Sequence, residues 1–325
     1  MIERVLLCRT ACTDPYRNLA VEEHLMETVP EGACILYLWQ NRRTVVIGRN
    51  QNPWKECRTG LLEAEGGHLA RRLSGGGAVF HDLGNLNFTF LVRQADYDVP
   101  KQMKVIVEAC RLLGIPAECS GRNDVFAGGR KFSGNAFYRR GENCYHHGTI
   151  LVDVDAAMMG RYLSPSKAKL QAKGVASVRA RVGNLKELKP ELTVSAMALR
   201  MEEAFQAVYS LPAEQLEEPA SPEIDRLAAR NGSWVWRYGR KMDCTFSCGE
   251  RFSWGELDLR LRVEEGLVVQ AAADTDALDW TLAPALEEAL TGQRFCLKSL
   301  QEAIRQANLD KAAAEDLCHL LEEQM

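Results

Sequence analysis

The chain lacks the marks of the commonest nucleotide-binding and membrane proteins. No Gly-Lys-Ser or Gly-Lys-Thr follows its glycine run, which excludes a P-loop, and the GxGxxG spacing of a dinucleotide-binding fold is missing. No apolar stretch nears the ~20 residues that span a bilayer. The opening text MIERVLLCRTACTDPY breaks a very short apolar run with arginines, unlike a signal or transit peptide, and predicts a cytoplasmic protein. Neither sign of charge prevails: a net charge of -4 offers no general attraction to nucleic acid or to an anionic membrane. Eleven cysteines, an odd number, argue against a disulfide framework and for buried thiols in a reducing compartment. Cys8 and Cys12, like Cys244 and Cys248, are separated by three residues rather than two, and neither pair has a histidine pair nearby to complete a zinc site. No internal repeat or low-complexity segment is present. The 325 residues, 46% hydrophobic and 26% charged, suffice for one large domain and a smaller one.

What is present centres on Arg71 to Phe90, RRLSGGGAVFHDLGNLNFTF. Gly75, Gly76 and Gly77 leave a backbone without side-chain walls, able to take φ > 0 and to admit a ligand close to its amides. Arg72 supplies a planar fork of donors and Ser74 a hydroxyl, so the run points to a phosphate or carboxylate ligand. A turn or bulge between strands is the alternative reading of the same glycines. After it, Leu86, Phe88 and Phe90 alternate with Asn85, Asn87 and Thr89, which predicts a half-buried strand.

Upstream, Arg4 to Cys8 reads as a strand, and Asp14-Pro15 opens a helix to about Glu27. Ile35 to Trp39 and Thr44 to Ile47 read as a hairpin across the turn-like Gln40 to Arg43, and a short helix then ends near Gly66-Gly67. Downstream, Pro100 begins an amphipathic helix with Met103, Ile106, Val107, Cys110 and Leu113 on one face and Gly114 as its stop. Gly121 to Asp155 reads as an antiparallel meander, with turns at Gly128-Gly129 and Gly141 to Asn143. On its last strand His146 and His147 point to opposite faces, which makes them poor joint metal ligands. Asp155 caps a short helix to Leu163. Ser164 to Asn184 is basic and rich in small residues, either a solvated loop or a lid closing over an anionic ligand. A helix spans Thr193 to about Tyr209, Trp234, Trp236 and Tyr238 alternate as a strand, and three strands (251–254, 257–263, 267–272) precede three helical stretches in a small β-plus-α domain.

Four motifs, RRLSGGGAVFHDLGN, GRNDVFAGGRKFSGNA, HHGT and KGVASVRARV, in this order, closely resemble lipoate-protein ligases of the biotin/lipoate ligase superfamily. The resemblance implies an α+β fold: mixed or antiparallel sheets flanked by helices in a catalytic domain, residues 1–243, and a small α+β accessory domain, residues 244–325. It implies ATP and magnesium, with free lipoate as substrate, and a two-step reaction through lipoyl-adenylate. The acceptors implied are apo lipoyl domains of 2-oxoacid dehydrogenase acyltransferases and the glycine cleavage H protein, modified by a monomeric enzyme that needs neither nucleic acid nor membrane.

The same resemblance distributes the roles. Lys131 is the catalytic residue and touches both lipoate and the adenylate. Arg72, Gly77, Ala78, Val79, Phe80, Asn123, Asp124, Lys173, Ser177 and Arg181 address ATP or the adenylate, the last three from a loop that covers it. Leu19, Ser74, Gly75, Gly76, Val79 and His147 line the lipoate pocket, and Asp124 is the candidate magnesium ligand. These assignments suit the chemistry: a carboxylate must meet an α-phosphate, and a compact ammonium neutralises both anions. An apolar tunnel gains ~0.8 kcal/mol per buried CH₂. Two other readings stand beside this one. An ATP-independent lipoyl or octanoyl amidotransferase would use a cysteine thioester, with Cys144 the candidate, and a non-catalytic lipoate or adenylate carrier would keep the fold without the chemistry. Biotin ligation fits less well, because the glycine-loop text lacks the arginine of that loop.

Overall fold

The computed structural model describes residues 1–121, 123–164, 182–238 and 244–325. Their packing gathers into two compact units, one of Met1–Val46, Cys57–Ala70 and Val79–Ser233, the other of Ile47–Glu56, Arg71–Ala78 and Trp234–Met325.

The first unit is built on an eight-stranded mixed sheet. Its strands are β1 (Arg4–Arg9), β2 (Ala33–Trp39), β6 (Asn85–Arg93), β7 (Ala117–Ser120), β8 (Asp124–Ala127), β9 (Arg130–Arg140), β10 (Asn143–Leu151) and β11 (Ala213–Leu216), in the order β11-β1-β2-β6-β10-β9-β8-β7. β1 runs parallel to β11 and β2, and the pairs from β2 through β7 are antiparallel. A second sheet, β4-β3-β5, holds β3 (Thr44–Ile47), β4 (His68–Arg71) and β5 (Val79–His81). The fold is thus α+β, with mixed sheets flanked by helices.

One face of the large sheet carries the main apolar core. Phe88, Phe90, Leu36, Leu38, Cys144 and Ile150 meet Met103, Ile106 and Cys110 of α4 (Val99–Leu112) and Met197, Met201 and Phe205 of α6 (Val194–Tyr209). Each fully buried Phe or Leu contributes about 1.5–3 kcal/mol. Helix starts follow the capping residues: Asp14 for α1 (Pro15–Thr28), Asp98 for α4, Asp155 for α5 (Ala156–Tyr162) and Thr193 for α6 each accept a backbone N–H in the first turn. Gly114 ends α4 at φ 73, and Gly128, Gly129 and Gly141 take positive φ in the meander turns.

Three expectations fail for physical reasons. β2 and β3 do not form a hairpin; β2 pairs with β1 and β6, while β3 joins the second sheet. All seven residues of β2 are buried, so the strand needs a neighbour on each edge and cover on both faces. β6 is not half-buried: its first eight residues are buried, including Asn85, Asn87 and Thr89. Trp234–Tyr238 is a helical turn, here α8, rather than a strand. Two of its carbonyls, Trp236 and Arg237, accept from the Arg71 guanidinium at 3.0 and 2.8 Å, which satisfies a helix end that alternation of aromatics could not reveal. The edge strand β11 lies in the acidic, proline-bearing stretch from Leu211 to Pro222.

The second unit contains the sheet β12 (Phe246–Arg251), β13 (Glu256–Glu264) and β14 (Leu267–Thr275), covered by α9 (Leu282–Leu290), α10 (Leu297–Gln306) and α11 (Lys311–Gln324) around Leu257, Leu259, Leu286, Leu300 and Leu317. The first of these strands begins five residues before the one expected at 251–254. All eleven cysteines are free, and seven are buried. No helix among the described residues is long and apolar enough to cross a membrane.

Two predictions follow from the core face. A Cβ added at Gly148 would lie 2.7 Å from Asn135 Oδ1, the Gly134 carbonyl and Phe88 Cζ, so Gly148→Ala is expected to lower stability in urea by about 1–3 kcal/mol; an unchanged midpoint would refute this packing. Burial, and secondarily His147, pushes the His146 imidazole down to about 3. The unfolded chain takes up that proton near ~6.5, so stability falls as pH drops from there toward 3. From pH 7 to 5, H146Q is expected to lose roughly 1–2 kcal/mol less than the wild type in urea titrations; equal losses would contradict a buried neutral imidazole.

Candidate active site

Lys131 follows the Gly128-Gly129 turn at the start of β9. A register shift after Val125 sets it opposite Phe126, and its Nζ lies 2.6 Å from Asp124 Oδ1 with both side chains about one-third exposed, at 32% and 31%. Its backbone is pinned by a bridge to Val182 and by the Gly183 N–H, which donates to its carbonyl at 3.0 Å. A Cβ at Gly134 would stand 3.0 Å from Lys131 Nζ, so the ammonium passes close over this glycine on its way toward Asp124. Lys131, Asp124 and Asn123 are therefore brought together. Asn123 donates from Nδ2 to the Asn135 carbonyl at 2.9 Å.

The sheet face opposite the core carries a second, buried polar group. His147 Nδ1 is 2.8 Å from Glu22 Oε1 on α1, the Thr89 hydroxyl donates to the same oxygen at 2.7 Å, and Trp39 Nε1 donates to Thr89 Oγ1 at 3.1 Å. Leu19, one turn before Glu22 on α1, is buried as well. His146 takes the other face, as alternation predicts, and packs in the core against Phe137, Phe88 and Phe90. Further along β6, Asn85 donates from Nδ2 to Asn87 Oδ1 at 2.8 Å, while Asn85 Oδ1 and Asn87 Nδ2 are buried without a protein partner among the described residues. Buried polar atoms left over in this way ask for a polar ligand or water. Glu22, Trp39, Asn85, Asn87 and Thr89 were not singled out as site residues from the sequence. The buried asparagines on one strand face were the available signal, hidden by the expectation that this face was solvated.

The glycine run belongs to the other compact unit. Arg72 donates from Nε to Ser74 Oγ at 3.0 Å and from one terminal nitrogen to the carbonyls of Gly75 and Gly77 at 2.7 and 2.8 Å. The Gly76 N–H donates to the Ala277 carbonyl at 2.8 Å with Gly76 at φ 88. A Cβ at Gly75 would meet the Ala277 carbonyl and lie 2.6 Å from that of Leu278, and one at Gly48 would strike the Gly76 carbonyl. Close backbone approach thus explains Gly75 and Gly48, positive φ explains Gly76, and a Cβ at Gly77 would meet nothing within 4 Å; the Gly76 amide donates to protein rather than to an anion. Arg71, buried, donates to five carbonyls, those of Gly48, Arg49, Gln51, Trp236 and Arg237. Of the following residues, Phe80 is buried on β5 and its ring lies 5.7 Å from that of Tyr162, with Val79 partly covered. Lys173, Ser177 and Arg181 lie outside the described residues.

Two chemical tests bear on the site. Cys144 is fully buried and burial raises its thiol, so the side chain offers neither access nor a ready thiolate. No group of three His, Cys, Asp or Glu side chains among the described residues is arranged to hold a metal. A single carboxylate about one-third exposed, that of Asp124, still fits magnesium, which binds through one or two carboxylates together with phosphate oxygens and waters.

Comparison with known proteins identifies the family. Residues 14–206 match the model of the lipoyl protein ligase A/B catalytic domain, and residues 241–321 that of the bacterial lipoate protein ligase C-terminus. A lipoate-protein ligase A from Psychrobacter cryohalolentis is 38% identical over 326 residues, covering 96% of each chain. Among solved structures, P. falciparum LipL1 in complex with lipoate superposes with a TM-score of 0.86 at 24% identity, covering 98% of this chain and 99% of that one. A lipoate-protein ligase A bound with ATP gives a TM-score of 0.61 at 25% identity over 73% of this chain and 98% of that one. With both family models matched in order and a relative aligned over almost its whole length, the chain belongs to the lipoate-protein ligase family of enzymes.

Proposed function

We propose that the protein activates free lipoate with ATP, releasing pyrophosphate, and passes the lipoyl group from lipoyl-adenylate to the ε-amine of one lysine on an apo lipoyl domain. The acceptors are acyltransferase subunits of 2-oxoacid dehydrogenases and the glycine cleavage H protein, and the enzyme works as a cytoplasmic monomer. Residues 1–243 serve as the catalytic domain and residues 244–325 as the accessory domain. The observation that carries this reading is the solvent-reaching Lys131–Asp124 pair at 2.6 Å, set on a rigid hairpin.

In the first step the lipoate carboxylate attacks the α-phosphorus of ATP, so two anions meet and negative charge grows on the phosphoryl oxygens. The Lys131 ammonium lowers that repulsion by contact with both, moving from Asp124 as the substrates arrive. Asp124 would hold magnesium, which supplies charge neutralisation at the phosphates. Arg72 and the backbone from Gly77 to Phe80, with Asn123, Lys173, Ser177 and Arg181, bind the nucleotide part. Leu19, Val79 and His147, with Ser74, Gly75 and Gly76, enclose the acyl chain. In the second step the acceptor amine attacks the acyl carbon, AMP leaves, and the same ammonium stabilises the carbonyl oxygen.

The amidotransferase alternative needs an accessible thiolate, and Cys144 is buried beneath the sheet. Lys131→Met is expected to slow lipoyl-adenylate formation by at least ~100-fold, about 2.7 kcal/mol of transition-state stabilisation, with its melting temperature close to that of the wild type. Undiminished adenylate from folded K131M would defeat the mechanism. When acceptor domain, lipoate and protein are mixed, the acceptor is expected to gain the lipoyl mass only with ATP, and C144S to match the wild type within about twofold. Transfer without ATP, or a trapped acyl-thioester, would favour the alternative.

A further inference from the structure

A chain of buried imidazole and amide groups runs from the core to the Lys131–Asp124 pair, and the proposed chemistry leaves it without a task. His146, fully buried on β10, has Nε2 2.8 Å from Asn135 Oδ1 and Nδ1 3.1 Å from Gln102 Oε1 of α4. Asn135 in turn is 4% exposed. Its Nδ2 and its backbone N–H both donate to the Asn123 carbonyl, at 3.0 and 2.9 Å, and the Asn123 side chain returns a bond to the Asn135 carbonyl at 2.9 Å. Three bonds thus clamp the residue that immediately precedes Asp124 to the middle of β9.

The proton placement follows from these partners. Asn135 Nδ2 is committed to a carbonyl, so Oδ1 faces His146 and the imidazole must donate from Nε2. A neutral ring then accepts at Nδ1. Gln102 meets that need when its amide is turned so that its nitrogen donates to Nδ1. The glycine of the His146-His147-Gly148 run belongs to the same arrangement, since a Cβ at Gly148 would lie 2.7 Å from Asn135 Oδ1. An apolar residue in place of His146 would leave that oxygen buried and unpaired, and the Asn135 amide would turn away from Asn123 to find a donor.

We propose that His146 is a positioning residue of the adenylating site: as a neutral Nε2–H imidazole held by Gln102 it orients the Asn135 amide, and the Asn135–Asn123 clamp sets Asp124 and, through it, the Lys131 ammonium. This rests on the adenylation reading for its consequence and on the hydrogen-bond chain for its geometry. Preorganised support of this kind acts on turnover rather than on substrate capture, because none of the three residues below Asn123 reaches the sheet face that carries Glu22 and His147.

The experiment uses the full chain and measures lipoyl-adenylate formation with lipoate and ATP varied separately, together with hydrogen–deuterium exchange of peptides covering residues 121–136. H146L is expected to lower kcat roughly 30-fold with both KM values within about threefold, and to raise exchange in that segment. H146Q, whose amide can donate to Asn135, is expected to recover at least about a third of the wild-type kcat and the slow exchange. N135A removes the same link without altering the imidazole and is held to the H146L result, so the idea stays testable if H146L does not fold. Wild-type rate and exchange in H146L or N135A would overturn the proposal, and so would equal loss in H146Q and H146L. If the wild type makes no lipoyl-adenylate, the proposed function fails, while the exchange data still decide whether the clamp exists.

Discussion

The middle of the large sheet is closed to water on both faces, and that constraint governs where every polar side chain of the site is found. β6 is buried along its first eight residues and β2 along all seven. Polar groups on such strands carry a desolvation cost unless each finds a partner. Thr89 meets Glu22 and Trp39, and His146 meets Asn135 and Gln102. Asn85 and Asn87 satisfy each other only in part. Where a buried amide atom has no protein partner among the described residues, water or a polar ligand can meet it.

The Lys131–Asp124 ion pair sits at the rim of this closed region. β8 and β9 lie toward the sheet's edge, where Lys131 and Asp124 keep about a third of their surface exposed while the chain beneath them is fixed. An ammonium so placed holds its charge beside a carboxylate until another anion replaces it. Cys144, in the core on the neighbouring strand β10, is deprived of that freedom by burial, so the thiol is inaccessible while the cation is exposed. Of the two side chains, the exposed one is the cation, and it is the one the proposed reaction uses.

Glycine does different work at each place it is needed. Gly134 lies close beneath the Lys131 ammonium, Gly148 clears the path of Asn135, and Gly75 and Gly48 allow main chains to touch. The triplet from Gly75 to Gly77 reads from sequence as an anion cradle. In the folded chain the Gly76 amide donates to Ala277, and Arg72 turns back on the loop's own carbonyls. The same freedom of φ serves close packing and ligand approach alike, so the run of glycines marks the place without specifying which.

The sequence by itself determined the local features: helix starts at Asp14, Asp155 and Thr193, the glycine turns of the meander, the opposite facing of His146 and His147, and the cluster of motifs that carries the family. These depend on a few adjacent residues and on the geometry of a single turn or strand. Tertiary structure alone decided that β2 and β3 part company, that Trp234–Tyr238 coils around the Arg71 guanidinium, and that Glu22 lies against His147 across 125 positions of chain. Such pairings are set by which surfaces must be covered once the sheet has assembled, and a strand or a lone carboxylate carries no mark of the face that another part of the chain will bury.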